Sequence, residues 1–306
     1  MRHLVTRDRN ISQQLMTKIH HERGTSSNVG LLAYSANKYS QNGEDGIIAR
    51  VFSIIGHGEE RCCEFGAWDG IHLSNTRALI EDGWSGALIE RNSERFKRLK
   101  DNTEQFRKVV AIRACVDATA NRLSTLLKKA GFPPELDFLS IDVDGLDYEL
   151  FLPPDDFRPR LILVEVNGGH DPNSTVIIPR QVAANNVGQP LKAFVSAADN
   201  AGYRLICYTG NAFFLRKDEG KERELPTLAP QQAYSDLVRH MPPSERRWLY
   251  LVDLGLVPPY YSFQNSLLKS SAFRMSKVEI VRAHISYLVF KSRRCLSGLF
   301  RMWRGN

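Results

Sequence analysis

The sequence predicts an α/β fold with a mostly parallel, seven-stranded sheet and an antiparallel edge strand. Short apolar runs typical of buried strands alternate with longer stretches of helical spacing, which is the pattern of parallel strands joined by helices. The last two runs, 204–209 and 212–216, are separated only by Gly210-Asn211. Two residues are too few for a crossover helix, so this pair is expected to be antiparallel.

The predicted elements follow the chain in an orderly alternation. Strands are expected at 61–65, 86–90, 108–117, 136–141, 160–167, 204–209 and 212–216. Helices are expected at 11–20, at 47–55, from the cap signal at 74–75, at 93–100, from about 120, and up to the glycine at 202. We therefore divide the chain into an N-terminal extension (1–38), the α/β domain (39–218), a charged, proline-punctuated helical segment (219–272) and a basic amphipathic helix (273–306). In the third part, only 246–252 has a clear packing pattern.

The stretch around which the domain is organised combines a strand, a glycine turn and a helix start. Glu64 ends the first apolar run, and Gly66 and Gly70 follow in a turn that needs backbone freedom and allows a close approach. A strand, tight turn and helix N-terminus form a cradle for a small ligand. Glu90, at the tip of the second predicted strand, is placed to accept hydrogen bonds from both hydroxyls of a ribose.

The glycine spacing discriminates between cofactors. The stretch lacks the dense G-x-G-x-x-G that seats a pyrophosphate on a helix N-terminus, so it favours S-adenosylmethionine (SAM) over a dinucleotide and disfavours a nicotinamide oxidoreductase. Ser40, Gln41 and Asp45, at the start of the helix before the first strand, could reach into the cofactor cleft, and Asn75, in the cap signal, is a further candidate for cofactor contact. All four have the alternative role of helix capping. Asp117, at the predicted end of the third strand, either meets an adenine amine or caps the next helix.

Acidic and amide side chains follow the fourth and fifth predicted strands. Asp142, Asp144 and Asp147 come directly after a buried run, and open α/β sheets bind ligands at this edge. Glu165 and Asn167 end the next strand. Asp142, Glu165 and Asn167 offer the oxygen ligands of Mg²⁺ or another divalent cation. The alternative is that these groups hydrogen-bond the substrate directly.

The positive charge of the chain is concentrated at its C-terminus. From Phe273 onward there are eight basic residues and one acidic residue, a net charge of +7, which equals the formal net charge of the whole chain. The body is therefore neutral, and we expect no nucleic-acid partner. A cationic amphipathic helix suits an anionic membrane surface, and docking on the body or on a second copy in a homo-oligomer is the alternative.

The five cysteines have no C-x-x-C spacing, and the sequence contains neither a membrane-spanning run nor a secretory signal. We expect buried free thiols of a reducing compartment. The predicted location is the cytoplasm, including the inner face of the membrane if the C-terminal helix binds lipid.

Seven motifs together resemble the FkbM-type SAM-dependent methyltransferases. They are Tyr39-Ser-Gln-Asn-Gly-Glu-Asp-Gly46, Glu64-Phe-Gly-Ala-Trp-Asp-Gly70, Ser74-Asn-Thr76, Gly83-Trp-Ser-Gly86, Leu88-Ile-Glu90, Leu139-Ser-Ile-Asp-Val-Asp-Gly-Leu-Asp-Tyr148 and Thr209-Gly-Asn-Ala-Phe-Phe214. The resemblance covers about residues 39 to 216 and implies a Rossmann-like class I methyltransferase fold. It implies cofactor contacts at Glu64, Gly66, Ala67, Asp69, Glu90 and Asp117.

The resemblance also implies O-methylation of a hydroxyl, commonly on a sugar of a glycan, a glycolipid or a natural product. Some relatives have lost catalysis, so a silent binding or scaffold protein is the alternative function. The usual single acid after the fourth strand is here a cluster of three, which leaves the proton acceptor open. Asp144 and His170 are the candidates for the base, with Asp142 and Asn167 positioning the substrate or an ion.

Overall fold

A computed structural model describes residues 30–116, 122–133, 135–143, 147–151, 157–166, 172–178 and 189–241. The predicted elements at 11–20 and 246–252 and the C-terminal basic helix lie outside these ranges. So do four predicted site residues, which are Asp117, Asp144, Asn167 and His170.

Seven strands form one sheet in the order β3-β2-β1-β4-β5-β7-β6. Their bounds are β1 Arg61–Phe65, β2 Ser85–Glu90, β3 Val109–Arg113, β4 Phe138–Ile141, β5 Leu161–Glu165, β6 Tyr203–Tyr208 and β7 Asn211–Arg216. Every pairing from β3 to β5 is parallel, whereas β7 runs antiparallel to both β5 and the edge strand β6. The predicted fold class is confirmed.

Helices connect the strands and cover the sheet. Their bounds are α1 Glu44–Ile55, α2 Arg77–Glu81, α3 Ser93–Thr103, α4 Leu123–Lys129, α5 Asp147–Leu150, α6 Leu191–Asn200 and α7 Pro230–His240. Short 3₁₀ turns occupy Gly30–Tyr34 and Lys217–Glu219. Strands β1, β4 and β6 are buried along almost their whole length, as expected for strands covered on both faces. Burial also raises the pKa of Cys62 and Cys63 in β1, as expected for unreactive core thiols.

Two boundaries differ from the predictions. Strand β3 ends at Arg113, four residues before Asp117, so Asp117 does not end that strand as the sequence predicted. Helix α7 lies within the predicted helical segment 219–272, for which the sequence analysis defined no helix bounds. Pro230 at its start fits the first turn of a helix, and Ala233, Tyr234 and Leu237 are buried. The helix forms because this apolar stripe packs against β6.

The strand order reverses between β1 and β4, because the chain proceeds from β1 to β2 and β3 on one side and from β4 to β5 on the other. In open α/β sheets the ligand site lies at the carboxyl ends of the strands at this switch point. Among the described residues, no helix is long and apolar enough to cross a membrane.

Candidate functional site

Gly66 and Asp142 meet at the switch point. Asp142 continues the pairing of β4 with β1, because its backbone N–H donates to the Phe65 carbonyl at 3.1 Å. Gly66 has a φ of +81°, and a Cβ added there would lie 1.6 Å from the Asp142 carbonyl oxygen. The predicted need for a left-handed bend is confirmed. A Cβ at Gly66 would thus meet the backbone of Asp142, whereas the sequence analysis attributed the need for a glycine here to the close approach of a ligand.

Glu64 is a buried anchor for the loop before α2. Its Oε2 accepts hydrogen bonds from the hydroxyls of Ser74 at 2.6 Å and Thr76 at 2.7 Å, and its Oε1 accepts from the Asn75 N–H at 2.8 Å. Burial raises the pKa of Glu64, against the lowering effect of these three donors. The carboxylate thus fixes the backbone beside the cleft, and its predicted contact with a cofactor stays a prediction.

Glu90 joins the tip of β2 to the glycine turn. Its Oε2 accepts from the Trp68 N–H at 3.1 Å, and its Oε1 accepts from the Asn92 N–H at 2.6 Å. Each carboxylate oxygen has two lone pairs, so both can take a further hydrogen bond from a ligand hydroxyl. The glycine turn and the acid expected to hold a ribose are therefore adjacent, as the sequence analysis requires.

Trp68 forms the rim of this part of the site. It has a φ of +48°, which is uncommon for a bulky residue, and its side chain is exposed. The Arg95 guanidinium lies over its ring at 4.0 Å from the centroid, and the His72 ring meets it edge-on at 5.2 Å. Sequence reasoning did not single out Trp68, because nothing in the local pattern indicates a positive φ at this position.

The remaining predicted residues of the turn have structural partners. The Asp69 carboxylate accepts from the N–H groups of Ile71 and His72 at 3.0 and 2.8 Å, which closes the turn. Ala67 is buried, and its N–H donates to the Ile89 carbonyl at 3.1 Å. Each residue thus stabilises the backbone of the site, and its contact with a cofactor stays a prediction.

Asn75 and Gln41, two of the residues predicted either to cap helices or to reach the cofactor, lie at different depths. Asn75 is buried and donates from its amide to the Ser140 hydroxyl at 3.1 Å, which ties the start of α2 to β4. The N-cap position of α2 is Thr76, which makes no side-chain capping hydrogen bond in the described part of the chain, so the predicted Ser74–Asn75 cap lies just before the helix. The Ser74 hydroxyl accepts from the Arg77 N–H at 3.1 Å. Gln41 is exposed in the loop before α1.

Three carboxylates meet at the ends of β4 and β5. One oxygen from each of Asp142, Asp147 and Glu165 lies within 4.8 Å of the other two. Asp147 also accepts from the Val143 N–H at 2.8 Å, which fixes the bend after β4. The structure thus brings Asp142 and Glu165 together as predicted. It adds Asp147, which the sequence placed among the acids after β4 but not among the ligands. Three hard oxygen donors suit a divalent cation, and occupancy by one stays a prediction.

Residues 37–45 cross the same edge of the sheet. At one end Tyr39 donates from its hydroxyl to Glu81 of α2 at 2.6 Å. At the other end the buried Glu44 accepts from the Thr209 hydroxyl at 2.7 Å and the Asn211 amide at 3.1 Å, at the turn between β6 and β7. The Tyr39 contact joins residues 42 positions apart and the Glu44 contacts join residues 165 and 167 positions apart, so no local pattern could predict them.

A groove of about 530 Å³ lies at the opposite edge of the sheet, near the amino ends of β1, β4 and β5. Its charged groups are largely occupied by one another. Arg160 pairs with Glu219 at 2.7 Å and Asp137 at 3.3 Å, and it donates to the Ile55 and Gly56 carbonyls at 2.8 and 2.9 Å. We interpret these ion pairs and hydrogen bonds as a network that stabilises the amino ends of the strands, rather than as a ligand site.

The sheet order, the antiparallel strand beside the edge and the glycine turn at the switch point define a Rossmann-like class I methyltransferase fold. Residues 104–205 match the family model described as Methyltransferase FkbM domain. This match covers a third of the chain and agrees with the resemblance of its motifs to that family. The matched segment begins after α3, so the roles of the glycine turn and Glu90 rest on their geometry.

The chain is similar to solved methyltransferases at low sequence identity. The O-methyltransferase from Bacillus cereus in complex with SAH is 13% identical, with a TM-score of 0.39 over 66% of this chain and 97% of that one. The SAM-dependent methyltransferase from Aquifex aeolicus is 13% identical, with a TM-score of 0.32 over 55% of this chain and 86% of that one. No curated protein matches the chain in sequence.

Proposed function

We propose that this protein is a SAM-dependent O-methyltransferase that acts on a hydroxyl of a sugar in a glycan, a glycolipid or a natural product. The observation that carries the proposal is the hydrogen bond between the Trp68 N–H and Glu90, which sets the ribose-binding acid against the glycine turn. The adenosyl half of the donor would lie between them. Its sulfur would then face Asp142 at the end of β4.

The charge of the edge favours a cationic donor. Glu44, Asp45, Glu64, Asp142 and Glu165 gather around the ends of β1, β4 and β5, and the described residues directly after these strands include no lysine or arginine. A sulfonium is attracted by such a field, whereas the two negative charges of a pyrophosphate are repelled. The negative charge of this edge therefore supports SAM over a dinucleotide independently of the glycine spacing.

The reaction needs orientation first and a proton acceptor second. The sulfonium makes its methyl carbon electrophilic, so holding the acceptor oxygen in line behind that carbon supplies much of the rate enhancement. As the oxygen–carbon bond forms and the carbon–sulfur bond breaks, the hydroxyl proton passes to a base. Asp142 is exposed at the cleft and is our choice for this role among the described residues. Asp144 and His170 remain candidates from the sequence.

We further propose that a divalent cation binds at the ends of β4 and β5. Asp142, Asp147 and Glu165 would supply its oxygen ligands, and the ion would lower the pKa of a bound acceptor hydroxyl. Methyl transfer measured with added Mg²⁺ and with EDTA tests it. Activity that EDTA leaves unchanged would assign the three acids to hydrogen bonding with the substrate instead.

Calorimetry with SAM tests the proposed donor. We expect Glu90→Gln to weaken SAM binding about 10- to 100-fold, because one charged acceptor of the ribose is lost. Glu104→Gln, an exposed position at the end of α3, is the matched control and should bind SAM like the wild type. Wild-type protein that binds NAD⁺ but not SAM would contradict the proposal. Binding of SAM without transfer to any of a panel of glycans and glycolipids would favour the silent binding protein.

The C-terminal segment 273–306 supports a lipid-linked acceptor. Its net charge of +7 and its apolar residues suit an anionic membrane surface, which would bring the catalytic domain to a glycolipid.

A further inference from the structure

The two oxygens of the Asp45 carboxylate have very different surroundings. Oδ2 accepts hydrogen bonds from the backbone N–H groups of Lys38 and Tyr39 at 2.7 Å and of Ser40 at 2.9 Å, and from the Ser40 hydroxyl at 2.9 Å. Oδ1 is buried and has no hydrogen-bond partner in the described part of the chain. Buried carboxylate oxygens are almost always paired, so an unpaired one indicates a donor outside the described part of the fold, such as a ligand.

Asp45 lies at the ligand-binding edge of the sheet. The segment 37–45 is attached to α2 through Tyr39 and to the β6–β7 turn through Glu44, and Asp45 directly follows Glu44. Its carboxylate is near enough to that of Glu64, at the end of β1, to contribute to the raised pKa of Glu64, which burial mainly causes. The unpaired oxygen therefore belongs to the same region as the glycine turn and Asp142.

The missing donor is best explained as a cation. Among the described residues, no lysine, arginine or histidine forms an ion pair with Asp45, and its exposed fraction is only 9%. A buried carboxylate is strongly stabilised by a charged N–H donor. The methionine half of SAM ends in an α-ammonium group, which carries three such donors, whereas its carboxylate would be repelled here.

We propose that Asp45 Oδ1 binds the α-ammonium group of the methyl donor. The proposal rests on the proposed function, because it assigns the amino-acid end of SAM to a residue outside the glycine turn. Oδ2 holds the loop in place, and Oδ1 accepts a hydrogen bond from the ammonium group of the ligand. Asp45 would thus let the site distinguish complete SAM and SAH from adenosine derivatives that lack the amino group.

A cycle of two ligands and two proteins tests this assignment. Calorimetry would compare SAH with an analogue that lacks only its amino group, on the wild type and on Asp45→Asn. The asparagine carbonyl can replace Oδ2, and its NH₂ group then takes the position of Oδ1 and cannot accept from the ammonium. We expect the variant to bind SAH at least about tenfold more weakly and to bind the deaminated analogue like the wild type.

Ser40→Ala is the matched control, because it removes a donor to Oδ2 and leaves Oδ1 unchanged. It should preserve the ratio of the two affinities. Equal weakening of both ligands by Asp45→Asn would overturn the proposal and assign Asp45 to loop structure alone. A wild type that binds SAH and its analogue equally would also overturn it while leaving the methyltransferase proposal intact. A wild type that binds neither would overturn both.

A crystal structure of the wild type with SAH keeps the test independent of the folding of the variant. The amino nitrogen should lie within hydrogen-bond distance of Asp45 Oδ1. A water molecule or a protein donor in that place would refute the assignment.

Discussion

Gly66→Ala is the substitution whose cost follows most directly from the structure. The new Cβ would lie 1.6 Å from the Asp142 carbonyl oxygen, and an ordinary contact begins at 3.4 Å, so the two atoms must separate by about 1.8 Å. That movement would disrupt the hydrogen bond from the Asp142 N–H to the Phe65 carbonyl. A side chain at this left-handed φ costs about 1 to 2 kcal/mol, and the overlap adds about 1 to 3 kcal/mol. We expect a loss of about 2 to 5 kcal/mol in the free energy of unfolding.

Gly131→Ala is the matched control for this prediction. Gly131 has a φ of +68°, and its added Cβ would meet nothing within 4 Å, so only the backbone cost of about 1 to 2 kcal/mol remains. Urea denaturation of both variants measures the difference. Equal losses would show that the close approach of β1 and β4 does not exist in solution. We also expect only Gly66→Ala to weaken SAM binding, because only there does the end of β4 move.

Three further predictions concern stability and the C-terminal segment. Burial raises the pKa of Glu64, so the stability that Glu64 contributes is complete below its unfolded pKa of 4.5 and is lost as the pH rises through its folded pKa. We therefore expect Glu64→Gln to gain stability relative to the wild type between pH 4 and pH 8, measured by urea denaturation. A difference in stability that does not change with pH would contradict this. Arg160→Met should lower the free energy of unfolding by about 3 to 5 kcal/mol in the same assay, because Asp137 and Glu219 lose a mostly buried partner. The control Lys217→Met, in an exposed pair with Asp199, should lower it by less than about 1 kcal/mol. Similar losses in the two variants would contradict a structural role for the Arg160 network. Full-length protein should float with anionic liposomes and a chain lacking 275–306 should not, whereas equal partitioning, or loss of a dimer in the truncated chain, would assign the segment to the body or to a second copy.

The sheet was predictable because its signal is local. Each strand is a short apolar run, and the two-residue connection before β7 forces an antiparallel pair. The positive φ of Gly66 was equally local, because glycine is the residue that adopts it at little cost. Sequence reasoning could not identify what lies against Gly66, since Asp142 is distant along the chain and the two meet only through the pairing of β1 with β4.

The sequence predicted where the candidate site lies better than it predicted what each of its residues contacts. Residues at the strand ends were identified because parallel strands present these ends at one edge. The partners of Glu64 were not, because Ser74 and Thr76 also fit an ordinary helix start. The bounds of helix α7 were not predicted within the helical segment 219–272, because its apolar residues are few and packing on β6 rather than intrinsic propensity decides its formation.

The acids at the carboxyl edge serve the fold and the ligand together. Asp45, Glu64, Asp69 and Glu90 each accept hydrogen bonds from backbone N–H groups, so negative charge is what orders the loops that line the cleft. These charges also repel one another and remain at the edge after the loops are ordered. A cationic ligand would offset that repulsion, whereas an anionic one would add to it. Under the proposed function, a preference for a sulfonium donor would therefore follow from how this edge folds rather than from one binding residue.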